Sequence, residues 1–441
     1  MANICVIGLG IIGFPIALLL AKANHRVVGV DKNQLTLKNI CNNSLNEPNG
    51  GIAKSLLEKY LNSRLFVTED LQSALSESEV VIVAIGTGVG SDGSPDLSSL
   101  FGLVEEICSE PETVKGKLFI FKSTLPVGTT RKIAKIIEEK TEMKCGDDFY
   151  VAFCPERVLG DKAITEMESL PKIIGGMDTA SSHKTESIIA TIGGKIIFVD
   201  TPESAELIKL MDNSYRQTLF AFANDFALIC ERQGINAYDL IRAANDSYPR
   251  NNIPMPSAGV SGYCLSKDPL YLETSFKEIT SERGFPSVWF MARKSNDYMP
   301  THVLDLLKKK FESLGKRLKG KNVLVCGIAY KENTDDIRNS HGLKIANKLQ
   351  RDGANVFLWD PQVQNPDLDF EIINDPNDVI EILDALIFTI KHDEFVHLGA
   401  SNNIFRMVNK MRTPVVIDGW GLFPYLALQK GVHYAGVGIG K

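Results

Sequence analysis

The stretch NICVIGLGIIGFPIALLLAKANHRVVGVD, residues 3–31, constrains the fold more than any other part of the chain. An apolar run ends at Gly8, and Gly8, Gly10 and Gly13 stand in G-x-G-x-x-G spacing. A helical stretch follows, then a second apolar run that ends at Asp31. Three glycines alone would say little. Strand, glycines, helix, strand and acid in that order predict a βαβ unit that binds a dinucleotide. The glycines permit a tight turn and let a pyrophosphate approach the backbone at the helix N-terminus. Ile11 and Ile12, between the glycines, join Gly8, Gly10 and Gly13 as expected cofactor contacts. Asp31 accepts from a ribose 2′-hydroxyl and repels a 2′-phosphate, so NAD is expected rather than NADP.

The strand–helix rhythm continues through EVVIVAIGTG, KLFIFKSTLPVG, FYVAFCPERV and GGKIIFVD. Such alternation predicts an α/β class with a parallel sheet covered on both faces. Ligands bind at the carboxyl ends of such strands, where Thr87, Thr124 and Glu156 fall. Each could equally be a helix cap or loop residue.

Residues 201–234 form one long helical pattern, begun by Thr201 or Ser204 and ended by Gly234. Its apolar residues, among them Leu207, Leu210, Met211, Phe222 and Phe226, predict a largely buried helix that joins domains or forms a dimer seam. Lys209 and Asn213 are four apart and share one face. They read either as a snorkelling lysine and a satisfied amide, or as two donors aimed at a substrate oxygen.

Further on, SAGVSGYCLSKDPLYL places Cys264 in a glycine-flanked segment, with Lys267 and Asp268 close behind. A thiol beside a cation and a carboxylate has the makings of an activated nucleophile. An ordinary loop cysteine before a helix is the plainer alternative. The last third repeats the opening: a strand runs to Gly327, then a helix, then a strand ending at Asp360. The intervening loop is longer and charged, with Lys331, Asp335, Asp336 and Arg338. The expected architecture is therefore two Rossmann-like parallel-sheet domains joined by a helical middle with one long helix. The boundaries are 1–199, 200–300 and 301–441, which suits a chain of 441 residues.

A formal net charge of −6 argues against non-specific nucleic-acid binding. The eight cysteines are scattered without a C-x-x-C pair, so neither a metal site nor a disulfide framework is expected. No apolar run is long enough to span a membrane, and the start reads as a strand rather than a signal peptide. The reducing cytoplasm is the expected compartment.

Taken in order, GLGIIG, DGSPDLSSL, STLPVG, CPERVLG, AELIKLMDNSY, GVSGYCLSKDP and GIAYKENTDDIRNS resemble the nucleotide-sugar 6-dehydrogenase family, the UDP-glucose/GDP-mannose dehydrogenases. CPERV and YPRNNI look more like the branch acting on UDP-N-acetylhexosamines, whereas the lysine of CLSKDP resembles the UDP-glucose branch. The resemblance implies oxidation of a sugar C6 alcohol to a carboxylate with two NAD⁺, the substrate being UDP-N-acetylglucosamine, UDP-N-acetylmannosamine or, alternatively, UDP-glucose. It makes Cys264 the nucleophile and Lys209 and Asn213 the oxyanion donors. Asp268, Thr124 and Glu156 become groups that position or activate water. Thr87, Thr124, Lys267 and Arg338 match cofactor contacts. Glu156, Arg157, Val158, Lys209, Asn213, Arg250, Gly259, Gly262, Tyr330 and Lys331 match substrate contacts, and a homodimer through the long helix is implied.

Three places depart from the family pattern. After CPERVL many relatives have proline–glycine or an acid-bearing segment, whereas Gly160 and Asp161 stand here. IGTGVG replaces the usual valine–proline–threonine–proline turn, and IDGWG places Trp420 where an arginine usually helps to hold the substrate. A two-electron 3-hydroxyacid-type dehydrogenase would share the first domain and the Lys/Asn helix, but needs neither Cys264 nor a second Rossmann-like domain. A catalytically inactive nucleotide-sugar-binding protein is the alternative outside the enzymes.

Overall fold

The structure is a computed structural model. It describes residues 1–44, 51–90, 92–363, 367–401 and 403–440. The chain divides into two compact units: residues 1–212 with 270–282, and residues 213–269 with 283–441. Two helices run through both: the long helix Pro202–Gln233 and the helix Tyr263–Arg283.

The first unit carries β1 (Asn3–Ile7), β2 (Arg26–Val30), β3 (Leu65–Thr68) and β4 (Val80–Val83). A short antiparallel pair follows: β5 (Gly88–Val89), within the departing IGTGVG loop, pairs with β6 (Pro95–Asp96), within DGSPDLSSL. Then come β7 (Leu118–Phe121), β8 (Tyr150–Phe153), β9 (Lys172–Gly176) and β10 (Ile196–Phe198). The main sheet has the order β10-β9-β8-β7-β4-β1-β2-β3. It is parallel except between β8 and β9, where Ala152 faces Gly176 in an antiparallel ladder. Strands with both faces covered read as continuous apolar runs, and β4 and β7 are buried at every position. Phe119 and Phe121 point to one packed layer and Ile120 to the other, as the strand period of two requires.

The second unit repeats the plan with β11 (Asn322–Cys326), β12 (Asn355–Trp359), β13 (Glu371–Ile372), β14 (Ala385–Phe388), β15 (Val415–Asp418) and β16 (His433–Gly436). Their order is β13-β12-β11-β14-β15-β16, all parallel. In each unit the strand order reverses beside the first strand, between β1 and β4 and between β11 and β14, which is where such sheets open a ligand crevice. The internal echo extends to single atoms. A Cβ on Gly13 would lie 1.7 Å from Gly8 O, and one on Gly342 would lie 2.2 Å from Gly327 O. Only glycine permits helix and strand to approach so closely.

The long helix begins at Pro202, where Thr201 Oγ1 accepts from the Ser204 amide at 3.1 Å. Gly234, at φ 71°, lies just beyond its end, a left-handed position that suits glycine. The expectation of a largely buried helix is corrected. Leu207, Met211, Phe222 and Phe226 are exposed, while the buried positions include Glu206, Asn213, Ser214, Gln217 and Asn224. Apart from Leu210, which is buried as expected, the packed face is made mainly of small and polar side chains, and these four large apolar ones point outward in the single chain.

Candidate active site

The nucleotide turn of the first unit follows from its glycines. Gly8 has φ 89°, and a Cβ there would press on Ala84 O and Ile85 Cγ2 at 3.0 Å. A Cβ on Gly10 would project into open space, the side from which a phosphate can approach the backbone. Ile11 is exposed and Ile12 half-buried. Asp31, at the end of β2, accepts from the Leu9 amide at 2.8 Å and from the Asn33 amide at 2.8 Å. The acid therefore pins the glycine turn. These features fit NAD.

Beyond β4 and β7 the chain is cross-tied. Ser123 Oγ donates to Ile85 O at 2.7 Å, and Thr87 Oγ1 donates to Thr124 O at 2.8 Å. Thr124 thus sits half-buried on a turn held from both sides. Glu156, after β8, is buried; its Oε1 accepts from the Arg157 amide at 3.0 Å and its Oε2 lies 3.4 Å from Lys122 Nζ. Lys122 also donates to Cys154 O at 3.0 Å. Burial works against the Lys122 charge, but Cys154 and Glu156 outweigh it and hold the ammonium above its usual range. Arg157 pairs with Asp212 at 3.0 Å and donates to Pro171 O at 3.0 Å, while Val158 packs on the apolar core. Lys209 is half-buried on the long helix, three residues after Glu206 and four before Asn213.

In the second unit Cys264 occupies the first turn of the helix Tyr263–Arg283, its side chain exposed. Lys267 Nζ and Arg338 Cζ both lie over the Tyr263 ring, at 5.1 and 5.6 Å. Arg338 is braced by both oxygens of Asp336, the Nη2–Oδ2 distance being 2.6 Å. That hydrogen bond, and the charge of Asp336, hold the guanidinium above its usual range against the effect of burial. Lys267 is buried against Asp268, Nζ to Oδ1 3.6 Å, and Asp268 also accepts from Asn213 Nδ2 at 2.5 Å. Pro269 follows within the helix and supplies no N–H to the Leu265 carbonyl.

The turn before Cys264 is held by four residues. Asn224 Oδ1 accepts from the Ser257 amide at 2.8 Å, and His341 Nδ1 donates to Ala258 O at 3.2 Å. Ser261 Oγ donates to Tyr330 O at 2.6 Å, and Asn339 Nδ2 donates to Gly262 O at 3.2 Å. Gly259 and Gly262 have φ 100° and 92°. A Cβ on Gly262 would strike the Tyr330 ring at 2.3 Å, so this glycine is required by a close approach as well as by φ. Tyr330 and Lys331 are half-buried, with Lys331 Nζ 5.9 Å from the Tyr330 ring. The structure thus brings Asn213, Gly259, Gly262, Cys264, Lys267, Asp268, Tyr330 and Arg338 into one connected framework. Arg250 stands outside it: exposed, with its guanidinium 5.9 Å from the Tyr248 ring.

Asp360 repeats the role of Asp31. Its Oδ2 accepts from the Ile328 and Ala329 amides at 2.7 and 2.9 Å and faces His392 Nε2 at 3.2 Å. Here the acid is buried and wholly engaged, so it fixes the loop. Trp420 donates through Nε1 to Thr389 O at 2.7 Å, and its amide donates to Asp418 at 3.0 Å.

The sequence matches three domains of the UDP-glucose/GDP-mannose dehydrogenase family: the NAD-binding domain over residues 2–204, the central domain over 203–298 and the UDP-binding domain over 324–424. The chain belongs to that family. It is an NAD-dependent nucleotide-sugar dehydrogenase with a UDP-binding domain. It is 33% identical over 438 residues to a UDP-N-acetyl-D-mannosamine dehydrogenase of Pyrococcus horikoshii, covering 99% of both chains. A UDP-N-acetyl-D-mannosamine dehydrogenase of Escherichia coli is 29% identical, over 91% of this chain and 96% of that one. Among solved structures, a UDP-D-ManNAc dehydrogenase of P. horikoshii aligns with a TM-score of 0.88 at 32% identity, covering 99% of each chain. A UDP-glucose dehydrogenase of Pyrobaculum islandicum aligns with a TM-score of 0.85 at 26% identity, over 99% and 98%.

For this nucleotide-sugar dehydrogenase, the motifs supplied the candidate side chains and passed over their supports. Asn224, His341 and Asn339, which hold the turn before Cys264, come from distant helices and loops. Lys122 and Glu206 were more accessible. Each lies inside a quoted motif region, and a charged residue within an apolar strand or helix face needs a partner when buried.

Proposed function

We propose that the enzyme oxidises the C6 alcohol of a UDP-N-acetylhexosamine, UDP-N-acetylmannosamine before UDP-N-acetylglucosamine, to the uronic acid in two oxidations through Cys264. The observation that carries the reaction type is the exposed thiol at the start of a helix, with Lys267, Asp268 and Arg338 gathered behind it. The relatives named above support the sugar, as do CPERV and YPRNNI.

When bound, NAD⁺ accepts one hydride in each oxidation. Lys209 and Asn213 donate to the C6 oxygen as it takes on negative charge. The resulting aldehyde is a poor hydride donor until a nucleophile makes its carbon tetrahedral. The Cys264 sulfur adds to that carbon, the oxygen takes a proton, and the thiohemiacetal regains a transferable hydrogen. Loss of the second hydride and of the hydroxyl proton leaves a thioester. Thr124, Glu156 and Asp268 position water, whose oxygen bonds to the carbonyl carbon. The C–S bond then breaks and sulfur departs as thiolate, a charge that the nearby cations favour. One alcohol, two NAD⁺ and one water give one carboxylate, two NADH and three protons.

A second reading, UDP-glucose, is favoured by the lysine of CLSKDP and by the likeness to the P. islandicum enzyme. Side-by-side kinetics separate the two. An N-acetyl pocket leaves its amide partners unmatched by a hydroxyl, so kcat/KM for UDP-N-acetylmannosamine should exceed that for UDP-glucose by about 10⁴. Equal or better turnover of UDP-glucose overturns the branch assignment.

The outward apolar row of the long helix, Leu207, Met211, Tyr215, Phe222, Phe226 and Ile229, supports a homodimer, since a free face of this kind is costly in water. Solution mass tests this: a monomer at micromolar concentration overturns it. A working thiol suits a reducing compartment, and we place the enzyme in the cytoplasm. Among the described residues no helix is long and apolar enough to cross a membrane.

A further inference from the structure

Glu206 is fully buried on the long helix, three residues before Lys209. Its Oε2 accepts from the Gly128 amide at 2.6 Å. Its Oε1 accepts from the Thr130 amide at 2.7 Å and from Thr130 Oγ1 at 2.6 Å. These donors stand at the start of the helix Thr129–Thr141, where backbone amides have no acceptor within their own helix. Gly128, the residue before that helix, has φ 87° and no side chain to cap it. The missing cap is supplied from another element by a buried carboxylate.

What the cap holds is the turn STLPVG, which carries Thr124 and is tied at its other end by Thr87. What bears the cap is the helix that carries Lys209. We propose that Glu206 is a positioning residue, locking the 124–130 turn to the long helix so that Thr124 and Lys209 keep one mutual geometry. This rests on the reading above, in which both groups serve the oxidation.

Nearby ion pairing does not account for Glu206. Arg131 meets Glu203, not Glu206, at 2.6 and 3.0 Å, in a more exposed pair between the same two helices. That pair can hold the helices together, but it does not touch the turn. Burial pushes the Glu206 carboxyl up to about 7, against the pull of the Thr130 and Gly128 donors. Glu203 on the same helix adds to the rise, and Arg131 on the facing helix is the cation that responds to Glu206. Protonation removes the charge from all three hydrogen bonds and takes one oxygen's acceptor capacity, so the turn loosens on the acid side.

The test compares Glu206→Gln with Glu203→Gln in the full-length enzyme. Glutamine keeps the shape but turns an NH₂ toward one of the donors. On the nucleotide sugar that the wild type oxidises best, Glu206→Gln should lower kcat at least ~10-fold, with both KM values within ~3-fold, because a small displacement of catalytic groups slows chemistry more than binding. Glu203→Gln, which breaks the neighbouring pair, should leave kcat within ~2-fold, as for an exposed ion pair. The wild-type kcat should fall below pH of about 7, and the Gln variant should lose that limb. Hydrogen exchange at the Gly128 and Thr130 amides should report lower protection in Glu206→Gln, and in the wild type below the same pH.

Wild-type kcat in Glu206→Gln, an equal loss in Glu203→Gln, or unchanged amide protection would each overturn the proposal. Should Glu206→Gln fail to fold, the pH dependence of amide protection in the wild type decides. Should the wild type oxidise no nucleotide sugar, the functional reading has failed, and the same amides still decide whether the clamp exists.

Discussion

Asn213 donates through Nδ2 to Asp268 Oδ2 at 2.5 Å, and the other oxygen of that carboxylate faces Lys267 Nζ at 3.6 Å. The amide of the long helix, the acid and the lysine behind Cys264 therefore form one buried chain. An amide committed to Asp268 presents its remaining polar atoms in a fixed direction, as a preorganised donor requires.

Asp268→Ala removes a buried carboxylate that accepts from Asn213 and faces Lys267. Breaking a buried pair from one side costs about 3–5 kcal/mol. Denaturant titration should show a loss of that order, together with lost turnover. A stability change under ~1 kcal/mol, the scale of a surface pair, would mean that Lys267 finds water when its partner is removed.

Lys209→Ala should behave differently. Removing an oxyanion donor costs ~100-fold or more in kcat. The side chain is only half-buried, so the melting temperature should hardly move. Lost stability with retained turnover would make the lysine a packing residue.

Asp31 accepts from both the Leu9 and the Asn33 amides, and the sequence pattern makes it the expected ribose acceptor. Asp31→Ala should weaken NAD binding and narrow the preference over NADP, because a repulsive charge and an anchor of the glycine turn go together. Isothermal titration with both cofactors checks this. An unchanged NAD/NADP ratio places selection elsewhere.

His341 links the Cys264 turn to acid sensitivity. Burial, then the nearby Lys344, holds its pKa down to about 3, so the folded imidazole stays neutral with Nδ1–H on Ala258 O. Between its ordinary 6.5 and about 3, the unfolded chain binds a proton that the folded one refuses. Stability therefore rises with pH in that window and is lost as pH falls, by up to about 1.4 kcal/mol per pH unit. Unfolding from pH 7 down to 4 should show the slope, and His341→Asn should flatten it. An equal slope in both proteins would assign acid sensitivity to other groups.

The two Rossmann-like units were legible because their signals are local. A strand, a glycine turn and an acid 23 positions on from Gly8 lie within one span, and Gly327 and Asp360 repeat them. The ends of the long helix were legible for the same reason, through Thr201 and Gly234. Its burial was not. Periodicity shows that a face is apolar, not that this chain covers it, and Met211 and Phe222 remain outward. Cys264, Lys267 and Asp268 could be picked out as neighbours in sequence. Their supports could not, since His341 and Asn339 reach the turn from more than 70 residues away.

The yield of NADH per sugar decides whether one enzyme removes four electrons from one carbon by way of Cys264. With limiting UDP-N-acetylhexosamine, the wild type should form two NADH for each uronic acid released. The Cys264→Ala variant should form no uronic acid, with NAD affinity close to that of the wild type. One NADH per sugar with an aldehyde product from the wild type, or near wild-type uronic acid production by the Cys264→Ala variant, would rule out the four-electron route through Cys264.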